Sequence, residues 1–238
     1  MKWSQATETG YVRPSNEDSL CVCPELGLFA VADGMGGHRA GEVASRKALE
    51  ELERYLRSRL QTAGDAASLL VQGVQEANRL VHQLSVHQPD CQGMGTTLSA
   101  ALVQEPLLHL AHVGDSRGYL LREGKIVQLT EDHSLVQELV KSGGLTAEQA
   151  REHPRRNVLT RALGIAPRVA VDCLTVTLSP GDRVLLCTDG LTGHLRTEEI
   201  AALIYRHDEP ERAVRELIRA ALDRGGSDNI TIILLAVD

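Results

Sequence analysis

Aromatic side chains are scarce in this chain, and basic side chains are outnumbered by acidic ones. Only 3% of the 238 residues are aromatic, so the stacking platforms that bind single-stranded nucleic acids are not expected. The chain has 25 Lys and Arg against 32 Asp and Glu, which gives a net charge of −7. This charge disfavours nucleic acid and anionic membranes as main partners, since both reward clustered cations.

Long apolar runs are missing as well. No run approaches the ~18 residues that a membrane helix needs, and the first ten residues lack the apolar core of a signal peptide. The five cysteines are odd in number and contain no CxxC pair, which favours buried thiols in a reducing compartment. We therefore expect a cytoplasmic protein. Because no HExxH or paired Cys/His motif occurs, zinc is not expected.

Repeats, low-complexity stretches and Pro- or Ser-rich linkers are absent too, so the sequence predicts one domain over residues 1–238. Short runs rich in Val, Leu and Ile predict strands. The predicted strands are 18–23, 27–32, 97–103, 107–113, 118–122, 125–129, 169–177, 183–187 and 230–237. Apolar residues at helical spacing predict helices near 43–56, 69–84, 198–204 and 214–222. A less regular stretch, 134–151, predicts two short helices joined at Gly143-Gly144.

The order of these elements predicts the fold class. The strands occur in runs, with helix pairs set apart, which favours an α+β fold over alternating βαβ units. Connections of a few residues in the middle of the chain require antiparallel pairing. Two helix pairs and enough strands for two sheets indicate a layered α/β/β/α sandwich. The runs 27–32 and 183–187 are continuously apolar, so both are expected to be covered on two faces.

Acidic residues stand at the ends of several predicted strands, beside Gly or Ser. They are Asp33, Asp115, Asp189 and Asp228, together with the pair Glu17-Asp18. Carboxylates that converge on one point repel each other unless a cation lies among them. An all-oxygen ligand set suits Mg²⁺ or Mn²⁺. Each Asp-Gly taken alone is more typical of a simple turn, so a divalent-metal site and a set of turns are both open interpretations.

Three other residues are candidates for chemistry. Arg13 lies four residues before Glu17, where its guanidinium could bind a phosphate with two hydrogen bonds; the alternative is a solvated surface arginine. His38 lies in the Gly-rich turn GMGGH close to Asp33. Cys187 is interpreted as a core residue, because no neighbouring His or Asp motif marks an activated nucleophile.

Eight motifs along the chain follow one another in an order that is known from a protein family. They are RPSNED (13–18), VADGMGGHRAGEVAS (31–45), GMGTT (93–97), HVGDSRGYL (112–120), LTEDHS (129–134), LTRALG (159–164), DRVLLCTDGL (182–191) and GSDNITIILL (226–235). In these motifs the chain resembles the metal-dependent protein serine/threonine phosphatases, the protein phosphatase 2C-like family, in its compact bacterial form. The resemblance implies the α/β/β/α sandwich of two antiparallel sheets, with a centre of two Mn²⁺ or Mg²⁺ ions at one end.

The resemblance also implies roles for the matching residues around the two ions. Asp33 would bridge both metals, and Asp189 and Asp228 would complete the protein ligands of one of them. The backbone carbonyl of Gly34 would bind the other ion.

Further residues of the motifs would act around this centre. Glu17 and Asp18 would hold its waters or lie close by, and Asn229 would support the metal shell. Asp115, together with Asp189, would bind a third, weaker ion. Arg13 would bind the substrate phosphate.

The implied activity is hydrolysis of phosphoserine and phosphothreonine in proteins, by direct attack of a metal-bridging hydroxide. The implied partners are phosphorylated proteins, including a bacterial Ser/Thr kinase or its substrates. Animal members carry a histidine directly after the Asp-Gly pair, as the proposed general acid, whereas this chain has Met35 there. His38 and a metal-bound water are the two candidates for that acid.

Segment 134–157 matches the mobile flap of bacterial members, and a passive surface loop is the alternative interpretation. Two other functions stay open at this point. A non-catalytic relative that binds phosphoproteins is disfavoured because Asp33, Asp115, Asp189 and Asp228 are all present. A different two-metal hydrolase, such as a nuclease, is disfavoured by the acidic net charge.

Overall fold

Two antiparallel sheets form the centre of the molecule. The computed structural model describes residues 1–36, 40–60 and 65–238. Within these residues the first sheet has the strand order β1-β11-β10-β7-β8, with bounds Lys2–Glu8, Ile230–Ala236, Arg183–Cys187, Arg117–Arg122 and Lys125–Gln128. The second has the order β2-β3-β5-β6-β9, with bounds Asp18–Cys23, Leu28–Met35, Leu98–Gln104, Leu107–Val113 and Asp172–Thr177. The two-residue strand β4, Gly95–Thr96, pairs with β3.

Helices cover the outer face of each sheet. The helices α1 (Ala40–Arg59) and α2 (Ala66–His87) pack on each other and on the second sheet. On the first sheet lie α6 (Thr197–Tyr205) and α7 (Pro210–Asp223). The short helix α5 (Asp189–Thr192) follows β10 directly. The layers are therefore helix pair, sheet, sheet and helix pair, as the sequence predicts.

The strand β10 shows why an unbroken apolar run forms a central strand. Val184 and Leu186 lie in the core between the two sheets. Leu185 and Cys187 lie in the core between the first sheet and helices α6 and α7. Because successive side chains of a strand point to opposite faces, a strand covered on both sides needs apolar residues at every position. The two-sided burial predicted for this run is confirmed.

The first strand, Lys2–Glu8, was not predicted, and this omission is a correction to the sequence interpretation. Its sequence KWSQATE is mostly polar, and it lies at the edge of the first sheet with most side chains exposed. It pairs with β11 over seven residues, from Lys2 with Ala236 to Glu8 with Ile230. An edge strand buries little side-chain surface, so an apolar pattern does not mark it.

The segment 134–157 contains two short helices, α3 (Leu135–Lys141) and α4 (Ala147–Glu152). The side chain of Ser134 caps α3 by accepting a hydrogen bond from the Gln137 amide, and Thr146 caps α4 with a capping box. The two helices agree with the prediction for this stretch. That the segment is a flap on a single domain stays a prediction. Among the described helices, none is both long and apolar enough to cross a membrane.

Candidate metal centre

The predicted site residues lie together at one end of the two sheets. Asp33 lies near the end of β3, Asp189 opens α5, and Asp228 lies just before β11. These three aspartates line a cavity of about 330 Å³. The other predicted residues that line it are Arg13, Glu17, Gly34, Asp115 and Asn229. The fold thus joins residues that are up to about two hundred positions apart in the sequence.

Asp18 lies at the first position of β2, where it pairs in register with Asp33. Its side chain is buried, and the Thr188 hydroxyl donates a hydrogen bond of 2.8 Å to its Oδ2. Burial disfavours the charged carboxylate, and this raises the pKa of Asp18 to about 7. The carboxylates of Asp189 and Asp228 add to the rise.

Asp33, Asp115 and Asp189 are partly exposed to the cavity, yet their pKa values are raised as well. The surrounding protein raises the pKa of Asp189 to about 6, and the nearby Asp228 carboxylate adds to this rise. Desolvation also raises the pKa of Asp33 and of Asp115 well above the usual range, again with neighbouring carboxylates as a further cause. At neutral pH these groups cannot all carry a charge without a positive partner.

Two carboxylate oxygens indicate that the donor set fits a divalent cation. Within the described residues, Oδ1 of Asp18 and Oδ1 of Asp189 are buried and have no hydrogen-bond partner. A buried acceptor without a donor is costly, and oxygen atoms are the ligands that Mg²⁺ and Mn²⁺ prefer. The site therefore combines several converging carboxylates with acceptor atoms that protein donors leave open.

The carboxylates do not already surround one point as a ligand shell. In the described parts of the chain, no three acidic, histidine or cysteine side chains form a group of that kind. One reason is the partner of Asp228, whose Oδ2 accepts a hydrogen bond of 2.7 Å from Nη2 of Arg13. This ion pair raises the pKa of the Arg13 guanidinium. The arginine thus neutralises the aspartate that the family resemblance assigns to a metal ion.

Asn229 ties the N-terminal loop to the start of β11. Its Nδ2 donates hydrogen bonds to the carbonyl oxygens of Thr9, at 2.9 Å, and Ser15, at 3.0 Å. Its Oδ1 accepts a hydrogen bond of 2.8 Å from the amide of Glu17. Because all three partners flank Arg13, the Asn229 amide fixes the loop that carries this arginine and Glu17 beside the cavity.

Gly34 lies where three segments of backbone approach one another. A Cβ atom at this position would lie 2.1 Å from the carbonyl oxygen of Gly41 and 2.6 Å from that of Glu17. The Gly34 amide also donates a hydrogen bond of 3.1 Å to the Glu17 carbonyl. A side chain would separate β3 from helix α1, so glycine is required for this packing.

The sequence interpretation missed a chain of polar residues behind Asp33. The hydroxyl of Thr97 accepts a hydrogen bond of 2.9 Å from the Asp33 amide and lies 2.7 Å from the Ser116 hydroxyl. Next to Ser116, the hydroxyl of Ser99 lies 2.9 Å from Nδ1 of His112. Burial lowers the pKa of His112 to about 4, so its ring is neutral.

His133 was also missed, although it lies in the motif LTEDHS. Its Nδ1 accepts a hydrogen bond of 3.0 Å from the amide of Gly114, so Nε2 carries the proton and donates to Asp172 at 3.0 Å. The histidine therefore holds the turn that carries Asp115 at the point where segment 134–157 begins. The available sequence signal for His133 was its position directly before Ser134, the residue that caps α3.

The candidate acid His38 lies outside the described residues. Met35, which stands at the position where animal members of the family have a histidine, is the last residue of β3 and lines the cavity. Cys187 is fully buried, and burial raises the pKa of its thiol to about 12. This agrees with its interpretation as a core residue. All five cysteines are free; Cys173 is exposed, so the expectation of buried thiols does not hold there.

Comparison with known proteins places this arrangement in a family. The model of the family described as Protein phosphatase 2C matches residues 14–230. The serine/threonine phosphatase stp of Listeria monocytogenes serotype 4b is 40% identical over 237 residues, which cover 98% of this chain and 94% of that protein. The chain belongs to the protein phosphatase 2C family.

Two further relatives link the chain to solved structures. The serine/threonine protein phosphatase PstP of Mycobacterium tuberculosis is 40% identical over 237 residues, 100% of this chain but 45% of that protein. A crystal structure of the M. tuberculosis phosphatase PstP/Ppp matches with a TM-score of 0.92 at 38% identity, covering 100% of this chain and 98% of that one. The catalytic domain of PstP in complex with two manganese ions matches with a TM-score of 0.89 at 37% identity, covering 100% and 98%. The four-layer fold and the family resemblance are both confirmed.

Proposed function

We propose that this protein is a metal-dependent protein phosphatase that hydrolyses phosphoserine and phosphothreonine in proteins. The observation that carries the proposal is the group of aspartates with raised pKa values and unpartnered oxygen atoms, at one end of a protein phosphatase 2C fold. The names of the Listeria and Mycobacterium relatives, both serine/threonine phosphatases, support the same substrate class.

Two cations, in our proposal Mn²⁺, would be held by Asp33, Asp189, Asp228 and the carbonyl of Gly34. Glu17 and Asp18 would lie beside them, supported by Asn229. When bound, such a pair supplies an activated water near neutral pH and neutralises charge on the phosphoryl oxygens. The two manganese ions in the PstP complex support this metal. Whether Mg²⁺ replaces it in the cell is a question for competition measurements.

A third, weaker ion would be held by Asp115 and Asp189. Both residues line the same cavity, where burial raises the pKa of Asp115 and the Asp189 carboxylate adds to the rise. The turn that carries Asp115 is fixed by His133, so the position of this carboxylate is set by the protein.

Arg13 would bind the phosphoryl group of the substrate. Its side chain is half exposed at the edge of the cavity, and its partner in the structure is Asp228. The guanidinium presents several donors in one plane, so it can bind two phosphoryl oxygens together. Arg13 would thus release Asp228 and bind the phosphoryl group of the substrate instead. This contact would orient the phosphorus atom toward the carboxylates of the cavity. His38 and a metal-bound water stay the two candidates for protonating the leaving group.

The biological partners we propose are proteins phosphorylated on serine or threonine, including a Ser/Thr kinase or its substrates. The phosphatase would reverse the modification that such a kinase makes. We place the protein in the cytoplasm, because its five free cysteines suit a reducing compartment.

A kinetic comparison of Arg13 variants tests this function. With Mn²⁺, the wild-type protein is expected to release phosphate from phosphoserine and phosphothreonine peptides but not to cleave plasmid DNA. In Arg13→Ala the KM is expected to rise about tenfold with a smaller change in kcat, because a lost charge-assisted hydrogen bond weakens substrate binding. Arg13→Lys should restore only part of the loss, since the planar donor pair is gone.

A surface arginine provides the matched control. Arg46, on α1, forms a solvent-exposed ion pair with Glu50, so Arg46→Ala should keep the wild-type KM. An unchanged KM in Arg13→Ala would show that this arginine does not bind the phosphate. Failure of the wild-type protein to release phosphate from either peptide would contradict the proposed function itself.

A further inference from the structure

The end of segment 134–157 carries arginines that the protein does not neutralise. Arg151 lies in the last turn of α4, and Arg155 and Arg156 follow it. All three arginines are exposed to solvent. Within the described residues, none of them forms an ion pair with a carboxylate, in contrast to the nearby Arg161, which pairs with Asp172 at 2.5 Å. In a chain of net charge −7, this is a local group of arginines without ion-pair partners, although α4 also carries Glu148 and Glu152.

Arg151 is held in place by backbone oxygens rather than by an acid. Its Nη2 donates a hydrogen bond of 3.0 Å to the carbonyl of Thr192, with a longer contact of 3.5 Å to that of Leu195. These bonds connect α4 to helix α5, which begins with Asp189. Both are donated by Nη2, which carries two of the five guanidinium N–H groups, so the charge and the other three donors stay available to a ligand.

A cavity of about 320 Å³ lies beside these residues. Arg151 and Arg156 line it, and so do Asp115, Asn157 and Asp189, which also line the cavity of the metal centre. The two cavities are therefore neighbours with shared walls. A substrate peptide whose phosphoresidue lies at the aspartates can reach the arginines with another residue, one that is close to the phosphoresidue in the substrate sequence.

The charges along this second cavity differ between its two sides. Asp115 and Asp189 stand on the side of the metal centre. A third acid on the wall, Asp132, is neutralised by Arg117, which donates hydrogen bonds of 2.9 and 2.6 Å to its two oxygens. On the side of α4, Arg151 and Arg156 have no acid opposite them among the described residues. An anionic group is thus favoured on the α4 side.

We infer that this cavity is an anion subsite, in which Arg151 and Arg156 bind a carboxylate or a second phosphate that the substrate carries within a few residues of the phosphoresidue. The inference rests on the proposed phosphatase function and adds a preference among its substrates. It assigns a binding role to the end of segment 134–157, for which the resemblance implies only a flap.

Matched peptides and two neighbouring variants test the subsite. Three peptides carry one central phosphothreonine and differ only in the flanking positions, up to three residues away on both sides. In the first these positions contain Gln, in the second Glu, and in the third a further phosphothreonine. Arg156→Gln removes a charge from the cavity wall. Arg155→Gln removes the same charge from the preceding residue. Because Arg155 does not line the cavity, this variant is the control.

The wild-type protein is expected to show a kcat/KM about fivefold higher for the Glu peptide than for the Gln peptide. The doubly phosphorylated peptide should gain about tenfold, because phosphate forms stronger charge-assisted hydrogen bonds. In Arg156→Gln both ratios should fall to about half or less of their wild-type values. Arg155→Gln should keep the wild-type ratios. Preference for only one of the two anionic peptides would identify that anion as the ligand.

Equal kcat/KM values for all three peptides in the wild-type protein would overturn the subsite while leaving the phosphatase function intact. An equal loss of preference in Arg155→Gln and Arg156→Gln would also overturn it, because diffuse charge would then account for the effect. Absence of hydrolysis with every peptide would overturn the proposed function together with the subsite.

Discussion

Asp18 and Asp189 are two of the aspartates whose ionisation the protein disfavours. Each keeps one buried oxygen without a hydrogen-bond partner, and their pKa values are raised to about 7 and about 6. An aspartate in an unfolded chain has a pKa near 4. Between about pH 4 and the raised pKa values, these residues therefore keep their protons in the folded state, whereas the unfolded state has already released them. A bound cation would replace the protons.

This difference predicts how stability depends on pH when divalent metal is removed. A carboxyl group whose pKa is raised by folding favours the folded state at low pH, and this advantage is lost as pH rises from about 4 through its folded pKa. The buried His112, whose pKa is lowered to about 4, opposes this trend below the usual histidine pKa of about 6.5. In the presence of a chelator, the melting temperature should therefore fall between about pH 6.5 and pH 7.5, by about 2 °C or more. Thermal unfolding across this pH range measures it.

The control for this prediction is the variant Asp18→Asn, which removes one titrating group from the site. Its melting temperature in chelator should fall less steeply over the same range. Addition of Mn²⁺ to the wild-type protein should raise the melting temperature most at the upper end of the range. A melting temperature that rises with pH in chelator would contradict the raised pKa values.

Single residues also show what the sequence could predict about the site. Asp33, Asp189 and Asp228 could be found because each stands at the end of an apolar run. The partner of Arg13 could not, since Asp228 lies 215 residues further along the chain. The pairing of His133 with Asp172 was equally out of reach, because the partner of a buried polar side chain is determined by packing between distant segments.

Helix α5 brings together the two segments that carry the aspartates of the first sheet. It begins at Asp189, directly after β10, and its second residue, Gly190, packs against the backbone before β11. A Cβ atom at Gly190 would lie 1.9 Å from the carbonyl oxygen of Asn229. The close approach of these two segments places Asp189 beside Asp228.

Gly190→Ala should therefore push the two segments apart. We expect the free energy of unfolding to fall by about 1–3 kcal/mol, as is typical of overpacking, and the phosphatase activity to fall with it. Denaturant unfolding and peptide hydrolysis measure the two effects. Gly193→Ala, at the C-terminal cap of α5, is the matched control. The nearest atom to its added Cβ would be the Asp189 carbonyl oxygen at 3.0 Å, and the backbone is in the right-handed region. Equal stability of the two variants would show that the approach at Gly190 is not tight.

Among the strands, the continuously apolar central ones could be predicted, whereas the polar edge strand β1 could not. The runs that became β3 and β10 are apolar at successive positions because cores lie on both sides of them. The strand β1 has no such pattern, since it lies at a sheet edge and is stabilised mainly by its backbone pairing with β11. Its existence depends on β11, the last strand of the chain.

At the scale of the whole molecule, the site depends on the stacking of the two sheets. Asp18 and Asp33 belong to the second sheet, and Asp189 and Asp228 adjoin strands of the first. The core between the sheets, which includes Phe29, is apolar throughout its described members. It holds the acidic strand ends against one another, so the repulsion of the carboxylates is offset by packing over the entire interface.

The central claim is that these carboxylates act as a metal centre for phosphate-ester hydrolysis. The most direct test is phosphate release from a phosphothreonine peptide by one purified preparation, measured in chelator and after titration with Mn²⁺, for the wild-type protein and for Asp33→Asn. We predict no release in chelator, full recovery of the wild-type protein with Mn²⁺, and a loss of at least about a hundredfold in Asp33→Asn at every Mn²⁺ concentration. Undiminished release in chelator, or near-normal turnover of Asp33→Asn, would contradict the account.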